Sequence, residues 1–344
     1  MDCREKSRYQ LLKYTDSCAE PVKVMIKQTK PLSFCISLCS RQRPVLLARA
    51  LGSLSMLKIP ENTRLSFLVV ENNESWQYGS IIAEFGKNMP ITHVLEPRPG
   101  LTFARNKILE TLVDLDVDWM GGVDDDQIID PVWLEKMVAA IRKFPDTKMF
   151  TGDWHRSLPA DMPNWYPVLN RPAKMNDGSK MGESATGNIA MHRSVFDPAD
   201  MALRFDPAYN LLGGEDLDFS AQYLNKGGII RFVKNARTDE EIHDGRATLT
   251  ARLERASASE YILAKVRHRR KSAINAYGWT LQILYRSVVF GIANLILAGA
   301  SFVFAPQWAK QRYGVSLRFF ARIRGLARYY FGKQPAQYAS IKGN

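Results

Sequence analysis

The chain alternates short apolar runs that end in polar clusters with longer stretches whose apolar residues recur at helical spacing. The run "LSFCISLCS" (32–40) predicts a buried strand, and "PVLLARALGSLSML" (44–57) predicts a helix behind a Pro suited to a first turn. "RLSFLVVENN" (64–73) and "ITHVLEP" (91–97) predict two more strands, and "TFARNKILETLVDL" (102–115) a helix with one apolar face. A strand "VDWMGGV" (117–123), a helix "PVWLEKMVAAIRKF" (131–144) and a strand "TKMFTGDW" (147–154) close the series. Strands alternating with helices imply right-handed crossovers, hence an α/β fold with a mainly parallel sheet covered on both faces. Residues 1–30 are polar, mixed and aperiodic, and form an N-terminal extension.

In such sheets ligands bind beyond the carboxyl ends of the strands. Those ends carry "CSRQR", "VENN", "EPRPG" and "VDDD", which together make one polar rim. Asp124, Asp125 and Asp126 cannot comfortably remain ionised side by side without a counter-charge, and a divalent cation supplies one. Mg2+ and Mn2+ prefer oxygen ligands and bind through one or two carboxylates plus phosphate oxygens. The histidines (93, 155, 192, 243, 268) form no zinc-like cluster, so a metal-held nucleoside diphosphate suits the triplet best. A solvated acidic loop is the plainer alternative.

A second acidic pair, Glu215 and Asp216, opens a predicted helix behind Gly213 and Gly214. Carboxylates there also serve as plain caps that answer the helix dipole. One acid set to hold a metal and another to take a proton is what transfer to a hydroxyl needs. Arg105 falls in the first turn of a helix, where backbone N–H groups favour anions, and Arg41 and Arg43 follow the first strand. Taken singly, each arginine reads equally well as a surface salt bridge.

Charge is distributed unevenly. Of 47 basic side chains, 14 lie in residues 261–344, which hold no Asp or Glu, while the first 260 residues carry 33 basic against 35 acidic groups. Such asymmetry points to an acidic partner surface, membrane or nucleic acid. Within this quarter the apolar segment "SVVFGIANLILAGASFVF" (287–304) is 18 residues, near the lower limit for a spanning helix. That segment fits lipid better than nucleic acid. Basic flanks on both sides give no orientation. The expectation is an interfacial or re-entrant helical hairpin, bent near Gly291 or Gly299, with both flanks on the cytoplasmic face of the membrane. A helix buried against the body and a single span remain open. Cys3, Cys18, Cys35 and Cys39 lack metal-ligand spacing and suit a reducing compartment. "MDCREKSRYQ" has no apolar signal-peptide core, so secretion is not expected.

The blocks "SLCSRQRP", "FLVVENN", "EPRPGLTFARNKILE", "GGVDDDQIIDPVWLEKM", "TGNIAMHRSVFD", "FDPAYNLLGGEDLDFS" and "EEIHDGR" occur in the order seen in family 2 glycosyltransferases. The chain resembles the branch that builds bacterial exopolysaccharides, of the succinoglycan kind, over roughly residues 31–255. The resemblance implies a GT-A fold, a nucleotide-sugar donor (most commonly of uridine), Mn2+ or Mg2+, and inversion at the anomeric carbon. It implies that Asp124 approaches the ribose, Asp126 binds the metal, Asp216 is the general base and Glu215 orients the acceptor. Donor contacts would come from Arg41, Glu71, Asn73, Arg105, Asp125, Asn188 and Arg246, with Asp124 and His243 as further metal ligands. Two positions depart from the pattern: Glu71 stands where the family usually has Asp, and His243 where this branch often has Pro.

The expected division is an extension (1–30), a catalytic domain (31–265) and a basic, membrane-associated helical region (266–344). Expected partners are the donor, a glycan or lipid-linked acceptor and an anionic membrane surface, with no nucleic acid. Two alternatives stand beside the transferase. A nucleotidyltransferase would need a Gly-rich loop after the first strand, and "CSRQRP" has no Gly. A non-catalytic glycan-binding protein on the same fold would be expected to lose acids, and both sets are intact.

Overall fold

The computed structural model describes residues 30–163, 165–166, 175–242, 244–332 and 334. In chain order the first half reads β1 (Leu32–Ser40), α1 (Pro44–Leu54), β2 (Thr63–Glu71), α2 (Gly79–Phe85), β3 (Ile91–Leu95), α3 (Leu101–Asp114), β4 (Trp119–Val123), β5 (Gln127–Ile129), α4 (Trp133–Lys143) and β6 (Met149–Ser157). There follow β7 (Lys180–Met181), β8 (Asn188–His192), α5 (Glu215–Asn225), β9 (Ile230–Glu241), α6 (Asp244–Ala247), α7 (Leu249–Arg270), α8 (Ala273–Ser301) and α9 (Pro306–Tyr330). Helix α2 was not anticipated, because its seven residues, with Ile81, Ile82 and Phe85 only partly buried against the core, are too few to show a period.

The strands form one sheet in the order β3-β2-β1-β4-β8-β6-β9-β5, with β7 beside β9. Strands β3, β2, β1 and β4 are mutually parallel, so their carboxyl ends share one edge. Strand β8 runs antiparallel between β4 and β6. The alternation along β1 explains the layering. Phe34, Ile36 and Leu38 meet α1 and α4 through Leu47, Leu51, Trp133 and Met137. Cys35 faces the other way, into the cluster that holds Ile108 and Leu112 of α3 and Phe219 of α5. Both faces are buried, as a helix-covered parallel sheet requires.

The apolar segment does not fold back near Gly291 or Gly299 as expected. Helix α8 runs unbroken through Gly291 and Gly299, and the chain reverses at residues 302–305, before Pro306 starts α9. Gly291 instead serves the crossing of the two helices. A Cβ there would lie 3.1 Å from the Phe320 ring, and the Ser316 hydroxyl donates to the Gly291 carbonyl at 2.8 Å. Among the described residues α8 alone is long and apolar enough to cross a membrane, by length and composition. Its outward face is apolar and open: Ile274 is 85% exposed, Leu281 66% and Ile296 64%, and at the turn Phe304 is 89% exposed.

Candidate active site

The shared strand edge brings the expected side chains together, and their partners sort them into two groups. The first group locks loops. Glu71 is fully buried, and its carboxylate accepts from Asn73 Nδ2 (2.9 Å), the backbone N–H of Gln77 (2.6 Å) and that of Tyr78 (3.3 Å). It also faces His93 Nε2 at 2.9 Å. Asn73 accepts from the Gln42 N–H, and Asn72 donates to the Glu96 and Arg98 carbonyls. Glu71 and Asn73 fasten the β1, β2 and β3 exits to one another. Asn188 is engaged in the same way. Its oxygen accepts from Trp133 Nε1 (2.8 Å), and its amide donates to the Asp153 and Ala236 carbonyls and the Thr238 hydroxyl. Every donor and acceptor of that amide is thereby used to tie α4, β6, β8 and β9 together.

The second group is a set of acids bridged by arginines. Arg105, on the first turn of α3, is 9% exposed. Its guanidinium reaches Asp124 Oδ1 at 3.3 Å and forms an ion pair with Glu215 Oε1. One cation thus joins the β4 exit to the start of α5. Asp125 turns back to Arg43 Nη1 at 3.2 Å and is buried, so it too is committed internally. Arg43, not Arg41, is the β1-exit arginine that reaches the acids. Arg41 Nε is buried without a hydrogen-bond partner among the described residues.

Asp126 differs from its neighbours. Arg43 and Arg246 stand 4.0 Å and 3.9 Å from its Oδ2, both beyond hydrogen-bonding distance. Burial, with Asp124, Glu240 and Asp125 close by, pushes its carboxyl up to about 7 even though Arg246 opposes the shift. Glu240 had not been singled out. It arrives because β5 pairs with β9 in a register that sets Gln127 opposite Glu240. There it is buried, bonded to Arg156 Nε at 2.6 Å and 3.6 Å from Arg246. The surplus of negative charge around Asp126 fits a divalent cation. Among the described residues no three His, Cys, Asp or Glu side chains are grouped as a ready metal cluster, and Asp124 is taken by Arg105. Asp126 is the acid of the triplet that no arginine holds within hydrogen-bonding distance. His243 lies outside the described residues.

At the start of α5, Gly214 is left-handed (φ 85°), and a Cβ there would lie 2.0 Å from the Ile262 side chain. The backbone turns closely at this point and presents Glu215 and Asp216 on the first helical turn. Glu215 is buried and its carboxyl is pushed up to about 7, chiefly by burial, with Arg105 opposing and Asp216 adding to the shift. Asp216 is half-buried, and its Oδ1 accepts from the Leu217 N–H at 2.8 Å. Burial holds its carboxyl above the usual aspartate range, with Arg105 opposing. A carboxylate of raised pKa that is not held in an ion pair is what proton abstraction near neutrality requires. The half-buried Cys39 thiol near this site is pushed up to about 12, chiefly by burial.

No family model matches the chain. It is 27% identical over 217 residues to the succinoglycan biosynthesis protein ExoM of Rhizobium meliloti, covering 62% of this chain and 68% of that protein. The mannosyltransferase PcManGT of Pyrobaculum calidifontis, solved with GDP-Man and Mn2+, superposes with a TM-score of 0.54 at 12% identity over 88% of each chain. The chain has the GT-A fold. It is also similar to GalNAc-T7, solved with UDP, GalNAc and Mn2+ (TM-score 0.50, 16% identity, 72% of this chain and 56% of that one). It is a distant homologue of ExoM.

Proposed function

We propose that the chain is a glycosyltransferase that moves a sugar from a nucleotide-sugar, of uridine in the first instance, to a hydroxyl of a glycan or lipid-linked acceptor, with inversion. The reading belongs to bacterial surface or exopolysaccharide synthesis. The observation that carries it is the bridge made by Arg105, which holds the acid triplet and the Glu215–Asp216 pair at one site while leaving Asp216 outside the bridge.

In this mechanism Asp216 accepts the proton of the acceptor hydroxyl, and the freed oxygen attacks the anomeric carbon opposite the leaving group. The bond from that carbon to the phosphate oxygen breaks, and its electron pair leaves with the nucleoside diphosphate. Arg43 and Arg246 flank the leaving group and stabilise its charge. Glu215, fixed by Arg105, orients the acceptor side. Mn2+ or Mg2+ held by Asp126 would supply further charge stabilisation for the diphosphate.

The open apolar face of α8 supports attachment to the cytoplasmic face of a membrane, while the basic ends of α7 and α9 are engaged with Glu183, Asp206, Asp218 and Glu254 of the body. A continuous α8 favours a hairpin lying along the interface. In the proposed division residues 31–265 carry the chemistry and 266–344 the attachment. That boundary falls inside α7.

The test is nucleoside diphosphate release from a panel of sugar nucleotides, with and without Mn2+, in the presence of membrane extract as acceptor source. Metal-dependent release from one donor supports the reading. Release that ignores metal, or pyrophosphate release in its place, refutes it.

A further inference from the structure

The segment between β7 and β8 (182–187) runs past both acid sets, and its contacts fix where it stands. At one end the Ser184 N–H donates to Ser220 Oγ at 3.4 Å, and both serines are buried. Ser220 lies four residues beyond Asp216 on α5, so the two share a helix face one turn apart. At the other end Gly187 lies against the β4 exit, where a Cβ would run into Asp124 Oδ2. The segment thus spans from the Asp216 face of α5 to the acid triplet.

Glu183, beside Ser184, is aimed by the C-terminal helices. Its Oε1 accepts from Arg267 Nη2, near the end of α7, at 3.3 Å. The same guanidinium lies 5.0 Å over the Trp279 ring of α8, so it is held between a ring and a carboxylate. Glu183 Oε2 makes no hydrogen bond among the described residues, and the side chain is 31% exposed. Burial holds its carboxyl above the usual glutamate range, with Arg267 opposing and Asp216 adding to the shift. A carboxylate with one oxygen fixed and the other open accepts a hydrogen bond from a neutral hydroxyl, while its charge disfavours an anion in the same place.

We propose that Glu183 is a specificity-determining contact for the acceptor: its open oxygen accepts from a sugar hydroxyl neighbouring the one that Asp216 deprotonates. Arg267 is the positioning residue that aims it. This deepens the transferase reading and rests on it. The acceptor class is then a sugar ring with two neighbouring hydroxyls, not a lipid phosphate, because Glu183 and Asp216 together repel an anion.

The test uses the full chain and the variants Glu183→Gln, Glu183→Asp, Arg267→Met and Arg267→Lys, each shown to be folded by thermal melts. Nucleoside diphosphate release is measured from the donor that the sugar-nucleotide panel identifies. One series varies the amount of membrane extract as acceptor source, and another has water as the sole acceptor. Glu183→Gln should raise the half-saturating amount of extract by about tenfold, with donor KM and release to water unchanged. Glu183→Asp keeps the charge but shortens the reach, and should show the same split. Arg267→Met should match Glu183→Gln, Arg267→Lys should recover part of the loss, and the double variant should be no worse than Glu183→Gln alone. Extract treated with periodate, which cleaves neighbouring hydroxyls, should lose its acceptor activity once the reagent is quenched, and phosphatase-treated extract should keep it.

Unchanged extract dependence in Glu183→Gln overturns the proposal. An equal fall in release to water, or a raised donor KM, also overturns it, because Glu183 then only supports the fold of the site. Loss of acceptor activity on phosphatase treatment alone overturns the acceptor class. No release by wild type from any donor, with or without extract, refutes the transferase reading and the proposal with it. That failure is read in wild type, whereas failure of the proposal alone is read in the variants and the treated extracts.

Discussion

Arg105 and Glu215, 110 residues apart, form a buried ion pair, and the same guanidinium holds Asp124. Because the pair is withdrawn from water, removing its cation strands two carboxylates. Arg105→Met is expected to cost about 3–5 kcal/mol of stability, read by chemical denaturation. A loss below about 1 kcal/mol would mean that the bridge is a surface pair in solution.

The same pair sets a pH dependence. The Glu215 carboxyl titrates at about 7 in the fold against 4.5 in an open chain. Between those values the folded state keeps a proton that the unfolded chain has released, so stability falls as pH rises through this window. Denaturation of the metal-free protein at pH 5 and pH 8 should show the decline, and Glu215→Gln should lessen it, the raised carboxyls of Asp126 and Asp216 keeping the remainder.

Asp216→Asn keeps an oxygen for the Leu217 N–H and so should fold like the wild type. Turnover should drop by about 10²–10⁴-fold, the range typical for loss of a general base. In the wild type the acidic limb of kcat/KM should lie above the ordinary aspartate range, because burial raises the Asp216 carboxyl. A folded Asp216→Asn enzyme with undiminished turnover would remove Asp216 from the chemistry.

Asn188 offers a contrasting case. Asn188→Ala leaves Trp133 Nε1 and two buried carbonyls without their partner, at about 1–3 kcal/mol for each group left unsatisfied. Melting should fall sharply, while the donor KM of the surviving folded fraction stays near wild type. A raised KM with unchanged melting would restore Asn188 as a donor contact.

At the hairpin turn, Phe302, Val303 and Phe304 are 62%, 79% and 89% exposed. Replacing all three by Ser should weaken vesicle association without changing the melting of the body, since none of them contributes to the buried core. Unchanged flotation would place the membrane contact elsewhere.

The parallel half of the sheet was legible because β1 and β2 announce themselves as buried runs and each exit carries polar residues. The acid triplet and Glu215–Asp216 were legible because adjacent carboxylates at a strand exit and a helix start are hard to explain otherwise. Glu240 was not. It lies on β9, whose charged stretch from Lys234 to Glu241 gives no apolar period, and only its pairing with β5 carries it to Asp126. The loop-fastening bonds of Glu71, Asn73 and Asn188 were not legible, because a polar residue at a strand end looks the same whether it meets a substrate or a backbone amide. Gly291 misled for a similar reason: glycine permits a bend, but it also permits the close approach of a second helix, and here the second holds.

The account turns on Asp126 as the carboxylate that recruits metal and diphosphate. The most direct measurement is calorimetric titration of uridine diphosphate into wild type, Asp126→Ala and Asp216→Asn, each with and without Mn2+. The account predicts Mn2+-dependent binding in wild type and Asp216→Asn, with little left in Asp126→Ala. Equal binding by Asp126→Ala and wild type in the presence of Mn2+ would contradict it.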